Sequence, residues 1–99
     1  MEFEIKQKEE GVDGAYYIED KEKEIAEMTY RRRPDKILIL HTGVEREYGG
    51  RRLGYNMVVR GVEDARKGGY KIKPYCPFAK RVIEGNPDFH DVLDYTPSV

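Results

Sequence analysis

The order of structural elements in this chain is set by residues 37–73, which read ILILHTGVEREYGGRRLGYNMVVRGVEDARKGGYKIK. Residues 37–40 are continuously apolar, which is typical of a central strand covered on both faces. Apolar residues then recur at helical spacing, and the Gly-Gly pair at 68–69 predicts the end of that helix. Residues 70–73 predict a second strand that ends at Pro74. Strand, helix and strand in this order predict a βαβ unit with a right-handed crossover.

The residues before this unit predict a meander of short antiparallel strands. Apolar and charged residues alternate over 1–6, which predicts the first strand. Residues 15–18 and 26–30 predict the second and third strands, and a loop at 11–14 separates the first two. The Arg-Arg-Arg-Pro run that follows the third strand breaks the pattern, because proline has no N–H to donate to a strand ladder.

The residues after the unit predict one more element. Residues 78–83 predict a short helix, which the Gly-Asn-Pro sequence at 85–87 ends. Residues 88–99 form a tail that either packs or frays. We therefore predict an α/β fold of the mixed α+β type, with an antiparallel meander, a βαβ unit and a short C-terminal helix. A chain of 99 residues and 11.6 kDa is the size of one domain, so we expect a single domain over 1–99.

Composition excludes several classes of protein. One Cys excludes an intramolecular disulfide, and one Cys with two His argues against a zinc site, so we expect no metal. No apolar run approaches the roughly 20 residues of a membrane helix, and the acidic N-terminus does not resemble a signal peptide. A sequence pI of about 6.1 argues against a nucleic-acid partner. We expect a cytoplasmic monomer or small homo-oligomer.

The charge is unevenly distributed, although the net charge is only −1. Residues 1–30 carry 4 Lys/Arg and 10 Asp/Glu, whereas residues 31–60 carry 8 and 3. A basic middle segment suggests an anionic ligand such as a phosphate, and ordinary solvated faces are the alternative.

A candidate phosphate-binding turn lies between the apolar strand and the helix, at residues 44–54. The N-terminus of a helix offers unpaired backbone N–H groups, and glycines let an anion approach them. Arg46, Arg51 and Arg52 add positive charge, so the segment has the groups that a pyrophosphate needs. An ordinary glycine turn is the alternative. The segment is neither a Walker A loop nor a dinucleotide-binding fingerprint.

Several segments together resemble the minimal, single-domain branch of the GNAT N-acetyltransferase superfamily. They are LHTGV at 40–44, GRRLG at 50–54, PYCPF at 74–78, the alternation of Ala26, Met28 and Tyr30, and GNPDF at 85–89. The resemblance spans about residues 14–93. The chain departs from the usual turn of that superfamily at two positions, since Gly49 stands where Arg is expected and Arg52 where Gly is expected.

The resemblance implies the acyl-CoA N-acyltransferase fold and an acetyl-CoA-dependent N-acetyltransferase. It implies contacts of the pantetheine arm near Thr42 and Val44. It implies pyrophosphate contacts from the turn, namely from Gly49, Gly50, Arg51, Arg52 and Gly54. The amine acceptor is not identified, and a small amine, a peptide N-terminus and a lysine side chain all remain open. A CoA- or acetyl-CoA-binding module with little or no transferase activity is the alternative.

Two residues are candidates for catalysis. His41 follows the apolar strand and is a candidate general base, because its unperturbed pKa of about 6.5 suits that role; the alternative is a histidine that only hydrogen-bonds the backbone. Cys76 follows the neighbouring strand, and it could pack in the core, line the acceptor site or accept the acetyl group covalently. A nearby His41 or a helix starting at Pro77 could lower the pKa of its thiol. Four tyrosines are candidates to protonate the leaving thiolate: Tyr48, Tyr55, Tyr70 and Tyr75.

Overall fold

The computed structural model describes residues 3–94, which form one five-stranded sheet with helices packed against it. The strands are β1 (Lys6–Glu10), β2 (Asp13–Asp20), β3 (Lys23–Arg32), β4 (Lys36–Val44) and β5 (Lys71–Pro74). The helices are α1 (Leu53–Gly68) and α2 (Pro77–Glu84), and single 3-10 turns occupy Arg46–Tyr48 and Pro87–Phe89.

The sheet order follows the chain, β1-β2-β3-β4-β5. The first four strands are antiparallel, and β4 and β5 are parallel because α1 crosses between them. The predicted meander, βαβ unit and short C-terminal helix are thereby confirmed.

The core lies between α1 and one face of the sheet. Ile18, Met28 and Ile39 project from the sheet and are fully buried against Met57 and Val62 of α1. Gly61 lets the helix lie close to the sheet, since a Cβ at that position would be 3.2 Å from the Cε of Met28. Burying each of these large apolar side chains stabilises the fold by about 1.5–3 kcal/mol.

The prediction that residues 37–40 are covered on both faces is wrong. Only Ile39 is fully buried, at 1% exposure, and Leu40 is 43% exposed. The opposite face of the meander carries ion pairs instead of a packed helix, for example Lys6–Glu19 at 2.8 Å between β1 and β2 and Lys8–Glu24 at 3.0 Å between β1 and β3. We call this surface the outer face, and the face under α1 the inner face.

The first strand is displaced from its predicted position. Met1 and Glu2 lie outside the described residues, residues 3–5 are not in a strand, and β1 begins at Lys6. Its register is set by the tight turn at Gly11, which has φ 62, rather than by the apolar alternation. Phe3 and Ile5 instead pack against the edge of the core.

The C-terminal segment packs on the edge of β5 as far as the structure describes it. The Ile72 N–H donates to the carbonyl of Val92 at 2.6 Å, and the Asp94 N–H donates to the carbonyl of Ile72 at 2.8 Å. Val92 and Leu93 are buried, so the packed alternative holds for this part of the tail. Residues 95–99 of the predicted tail lie outside the described residues.

Candidate active site

The two parallel strands part halfway along β4. Their pairing ends at Ile39 and Pro74, and the N–H groups of Tyr75 and Cys76 then both donate to the carbonyl of Ile39, at 2.9 and 3.2 Å. Beyond this point β4 continues to Val44 while it pairs with β3. Its other edge therefore faces an opening instead of a strand.

An irregularity in β4 occurs at the same place. Tyr30 of β3 pairs with Ile39 and Thr29 pairs with His41, so Leu40 is an extra residue in β4. Such a bulge changes which face the following side chains occupy. Ile39 and Thr42 both face inward, since Ile39 is in the core and Thr42 contacts Cys76.

A cleft of about 510 Å³ opens where the strands part. Strand β4, the connection to α1, the first turn of α1 and the start of α2 all contribute to it. Its lining residues are Thr42, Val44, Tyr48, Gly49, Gly50, Arg52, Leu53, Gly54, Tyr55 and Phe78. The structure thus brings together six of the seven residues predicted to bind a cofactor. The seventh, Arg51, lies beside the cleft with its guanidinium 5.4 Å from the ring centroid of Tyr48.

The connection from β4 to α1 uses left-handed backbone conformations. Gly50 has φ 79, and Arg52 has φ 60 and ψ 26. The left-handed region favours glycine, which explains in physical terms why the resemblance expects Gly where this chain has Arg52. Gly49 has φ −65, an angle that any residue adopts.

The N-terminus of α1 concentrates positive charge. Asn56 makes the first intrahelical bond, from its N–H to the carbonyl of Arg52 at 2.9 Å, so the amides of residues 53–55 precede the helical ladder. The first turn contains no acidic residue, and the side chain of Arg52 forms no capping hydrogen bond. The Arg52 guanidinium lies 4.3 Å from the ring centroid of Tyr55. A cation at the positive end of a helix dipole is unfavourable by itself, and an anion bound there makes it favourable.

Gly54 allows the close approach of three elements. A Cβ at this position would lie 3.0 Å from the Phe78 ring of α2 and 3.7 Å from Cγ2 of Thr42. The first turn of α1 can therefore contact both the wall formed by Phe78 and the open part of β4.

Cys76 is placed at the N-terminus of α2, immediately beside the cleft wall. It is 5% exposed, and its thiol donates to the hydroxyl of Thr42 at 3.4 Å. Burial alone would raise the pKa of this thiol. The thiolate, however, accepts hydrogen bonds from the Thr42 hydroxyl and from the backbone N–H groups of Ala79 and Phe78, and these lower the pKa below its ordinary value. Proline at the next position starts α2, as expected for the first helical residue.

His41 does not share this environment. It is adjacent to Thr42 in β4, so the two side chains face opposite sides of the sheet, and Thr42 is the one that contacts Cys76. The Nε2 atom of His41 lies over Gly43, 3.3 Å from where a Cβ of that glycine would be. Of the two predicted ways to lower the pKa of the Cys76 thiol, the start of α2 is the one that acts.

The four candidate tyrosines are separated by the fold. Tyr48 and Tyr55 line the cleft, Tyr75 is exposed at the strand opening, and Tyr70 follows the other end of α1. The Tyr48 hydroxyl donates to Oδ2 of Asp20 at 2.6 Å, which raises the pKa of Tyr48.

Four lining residues were not predicted from the sequence as binding residues: Tyr48, Leu53, Tyr55 and Phe78. The two tyrosines were candidates only for protonating the leaving thiolate. The helical spacing predicts a buried position for Leu53, and Phe78 is predicted only as the start of the short C-terminal helix and the last residue of the PYCPF motif. The aromatic residue directly after the Pro77 helix start was the available signal for Phe78, since it lies two residues from Cys76.

None of the helices within residues 3–94 is long and apolar enough to span a membrane. In the same range, no three His, Cys, Asp or Glu side chains converge as ligands for a metal ion.

Comparisons with known proteins agree on one fold. A family model described as "GCN5-related N-acetyl-transferase" matches residues 15–92. A GCN5-like candidate N-acetyltransferase from Staphylococcus aureus is 37% identical, with a TM-score of 0.71 over 95% of this chain and 90% of that one. A comparison with curated proteins finds no match.

Two more distant structures share the fold alone. A ribosomal-protein-alanine N-acetyltransferase from Brucella melitensis biovar Abortus 2308 has a TM-score of 0.64 at 11% identity, over 91% of this chain and 70% of that one. An aminoglycoside acetyltransferase from an uncultured soil metagenomic sample has a TM-score of 0.57 at 7% identity, over 91% of this chain and 64% of that one. Their acceptors differ in kind, so the fold by itself does not specify an acceptor.

Proposed function

The chain belongs to the GCN5-related N-acetyltransferase family, and we propose that it transfers an acetyl group from acetyl-CoA to a primary amine. The observation that carries this proposal is the parting of β4 and β5 after Ile39, which opens a cleft between Thr42, the hydrogen-bond partner of Cys76, and the cationic start of α1.

The residues of the cleft fit the parts of acetyl-CoA. Gly50 has the left-handed backbone of a tight turn, and nothing lies within 4 Å of where its Cβ would be. The amides of residues 53–55, with Arg51 and Arg52, would hold the pyrophosphate. The open edge of β4 at Thr42 and Val44 would hydrogen-bond the amides of the pantetheine arm, as an added strand would. Phe78, Leu53 and Tyr55 supply apolar walls for its methylene groups.

Acetyl-CoA would supply the thioester carbonyl. Proton transfers accompany the reaction, from the ammonium of the acceptor and to the leaving thiolate of CoA. A primary ammonium titrates near a pKa of about 10, so it loses a proton before it can attack, and we propose His41 as the acceptor of that proton. The helix-terminal amides of Phe78 and Ala79 stabilise negative charge at the Cys76 sulfur. We propose Cys76 as the second catalytic residue.

Two routes are open to Cys76. In direct transfer, its side chain lines the site in which the amine attacks the thioester. In the covalent route, the Cys76 thiolate attacks the acetyl carbon and the CoA thiolate leaves. The amine then attacks the same carbon and the Cys76 thiolate leaves. The 5% exposure of Cys76 favours direct transfer, and the lowered pKa of its thiol favours the covalent route. Mass spectrometry of the Cys76 peptide during turnover distinguishes them, because only the covalent route adds an acetyl group there.

Calorimetric titration with acetyl-CoA tests the proposal, with CoA and ATP as comparison ligands. We expect binding of both CoA species at about micromolar concentration, which corresponds to about −8 kcal/mol, and weaker binding of ATP. Absence of acetyl-CoA binding would contradict the proposal.

A binding module with little turnover is the second candidate function. The observation that favours it is the separation of His41 from Cys76 on opposite faces of β4. His41→Ala and Cys76→Ala decide between the two. In an enzyme, one or both substitutions lower turnover while acetyl-CoA binding remains, whereas a binding module has no turnover in the unsubstituted protein.

A further inference from the structure

Two exposed apolar residues have neighbouring backbones where β4 and β5 part, and neither lines the cleft. Leu40 is 43% exposed and Tyr75 is 50% exposed. The Tyr75 N–H donates to the carbonyl of Ile39 at 2.9 Å, so its backbone lies against the peptide group that joins Ile39 to Leu40. Neither side chain lines the cleft. We call Leu40 and Tyr75 the apolar shelf.

Each residue of the apolar shelf is the chain neighbour of a candidate catalytic residue. Leu40 directly precedes His41, and Tyr75 directly precedes Cys76. The other exposed large apolar side chains lie elsewhere, Val44 in the cleft wall and Val12 in the turn before β2. The shelf is thus an exposed apolar surface beside the reactive centre that the binding of acetyl-CoA does not use.

Negative charge lies on the same face as His41. Thr29 pairs with His41 and Glu27 pairs with Gly43, so alternation along β3 puts Glu27 and His41 on one face. A groove of about 290 Å³ runs between Glu27 and Gly43. Within residues 3–94, no ion pair joins Glu27 to another residue. A cationic group that approaches His41 from this side therefore meets a carboxylate that no salt bridge in this range engages.

We propose that the acceptor is a polypeptide segment, which places apolar side chains on the shelf and directs a primary amine towards Glu27 and His41. A small ligand needs a concave site that encloses most of its surface, and half-exposed Leu40 and Tyr75 do not enclose one. A polypeptide brings its own surface to cover them. This inference rests on the proposed function.

The transfer is balanced in atoms and charge. The amine nitrogen forms a bond to the acetyl carbon, and the bond from that carbon to the sulfur of CoA breaks. The ammonium first gives one proton to His41, which passes it to water, and the neutral amine then attacks. As the carbon–sulfur bond breaks, the nitrogen loses its second proton to water and the CoA thiolate takes one proton from water, so that one proton is released overall. The products are the acetylated segment and CoA.

The experiment compares four acceptors with the full chain and acetyl-CoA. The first is an N-acetylated peptide with one lysine between two leucines, and the second has serines in place of the leucines. The third is a lysine-free peptide with a free N-terminal amine followed by leucine, and the fourth is n-butylamine. The CoA released gives kcat/KM for each, and the amide NMR signals of residues 38–42 and 73–76 report peptide binding to the CoA-loaded protein.

We expect a leucine-flanked peptide to exceed both the serine-flanked peptide and n-butylamine in kcat/KM by about tenfold, the effect of burying one or two apolar side chains. The first and third peptides distinguish a lysine amine from an N-terminal amine. Leu40→Ser with Tyr75→Ser should reduce the preference to about twofold or less, and the Kd of acetyl-CoA should stay within twofold of the original. Tyr75→Phe should retain the preference, and Val12→Ser in the distant turn should change nothing.

Three results would overturn the inference. One is equal kcat/KM for the leucine-flanked peptides and n-butylamine. Another is that the variant with Leu40→Ser and Tyr75→Ser keeps the full preference for the leucine-flanked peptide. The third is a peptide that is not acetylated and does not shift the NMR signals. If acetyl-CoA itself does not bind, the proposed function fails as well, and the calorimetric titration identifies that case separately.

Discussion

The two ends of α1 carry similar basic residues in opposite electrostatic settings. At the C-terminus, Arg66 and Lys67 face the negative end of the helix dipole, and Gly69 caps the helix with φ 75. Arg66 also forms two hydrogen bonds of 2.7 Å to the carboxylate of Asp91. At the N-terminus, Arg51 and Arg52 face the positive end, with no acidic residue in the first turn.

The two ends therefore differ in how their charges relate to the helix dipole. The C-terminal cations are favourable in the protein alone, because the dipole and Asp91 both attract them. Arg52 at the N-terminus is opposed by the dipole, and an anion bound at the helix amides would offset that repulsion. A helix end whose side-chain charges oppose the helix dipole is therefore a candidate ligand-binding site.

Charge reversal at the two ends should give the largest and most clearly opposed effects. Arg51→Glu with Arg52→Glu should weaken acetyl-CoA binding by about 100-fold or more, because charge-assisted hydrogen bonds to phosphate contribute about 1.5–3 kcal/mol each. The single change Arg52→Glu should leave the free energy of unfolding equal or higher, since acidic residues stabilise a helix N-terminus. Calorimetry and urea unfolding measure the two quantities.

Arg66→Glu with Lys67→Glu is the matched control. It should lower the free energy of unfolding, because it loses the pairing with Asp91 and opposes the dipole, and it should leave acetyl-CoA binding within about twofold. Equal losses of binding from both pairs would contradict the distinction between the two ends.

Left-handed glycines occur at both ends and allow a second comparison. Gly50→Ala and Gly69→Ala should each lower the free energy of unfolding by about 1–2 kcal/mol, the usual penalty for a side chain in this conformation. Only Gly50→Ala should also weaken acetyl-CoA binding, by about tenfold, as the turn relaxes away from its ligand-binding shape. Gly49→Ala, at φ −65, should have a smaller effect on both quantities than Gly50→Ala. Unchanged binding in Gly50→Ala would show that the shape of this turn does not matter to the ligand.

Cys76 lies at the N-terminus of the second helix, α2, and should give the smallest of these effects. The expected effect is a dependence of the free energy of unfolding on pH. The pKa of the Cys76 thiol is lowered in the folded protein, so folding favours the thiolate. The stabilisation is lost as pH falls through the folded pKa and is fully present above the unfolded pKa of about 8.5. The stability difference between the unsubstituted chain and Cys76→Ser should therefore grow as pH rises towards about 8.5 and then level off.

Urea unfolding at several pH values from about 6 to about 9.5 measures this difference, in conditions that keep the thiol reduced. The hydroxyl that the Cys76→Ser variant carries does not titrate in this range, so the variant serves as the reference. A difference that is constant over the range, or that shrinks as pH rises, would show that Thr42 and the helix amides together do not lower the pKa of the thiol.

The sequence predicted regular elements best where periodicity and a terminating residue agreed. The helical spacing from Leu53 and the glycines at 68–69 located α1, and Pro77 with Gly85 bounded α2. The exposure of Leu40 could not be predicted in this way, because an apolar run looks the same whether one face or both faces are covered.

The sequence predicted which residues form the site better than it predicted their arrangement. The glycines identified the turn at Gly49 and Gly50, but the left-handed conformation of Arg52 was not predicted, since arginine rarely adopts it. The separation of His41 from Cys76 depends on the bulge at Leu40, and no glycine or proline there signals it. The anchor from Tyr48 to Asp20 joins residues 28 positions apart, beyond the reach of a local pattern.

The extra residue at Leu40 shifts by one position the alternation of all later side chains in β4. Upstream, the odd-numbered Ile37 and Ile39 face the core, and downstream the even-numbered Thr42 does. Deleting one residue here would restore strict alternation, exchange the faces of all later side chains and turn Thr42 away from Cys76. The strand would still be equally apolar upstream and would still pair with β3. Insertions and deletions within β4 are therefore the changes that this chain would tolerate least, even where every individual substitution in the strand is mild.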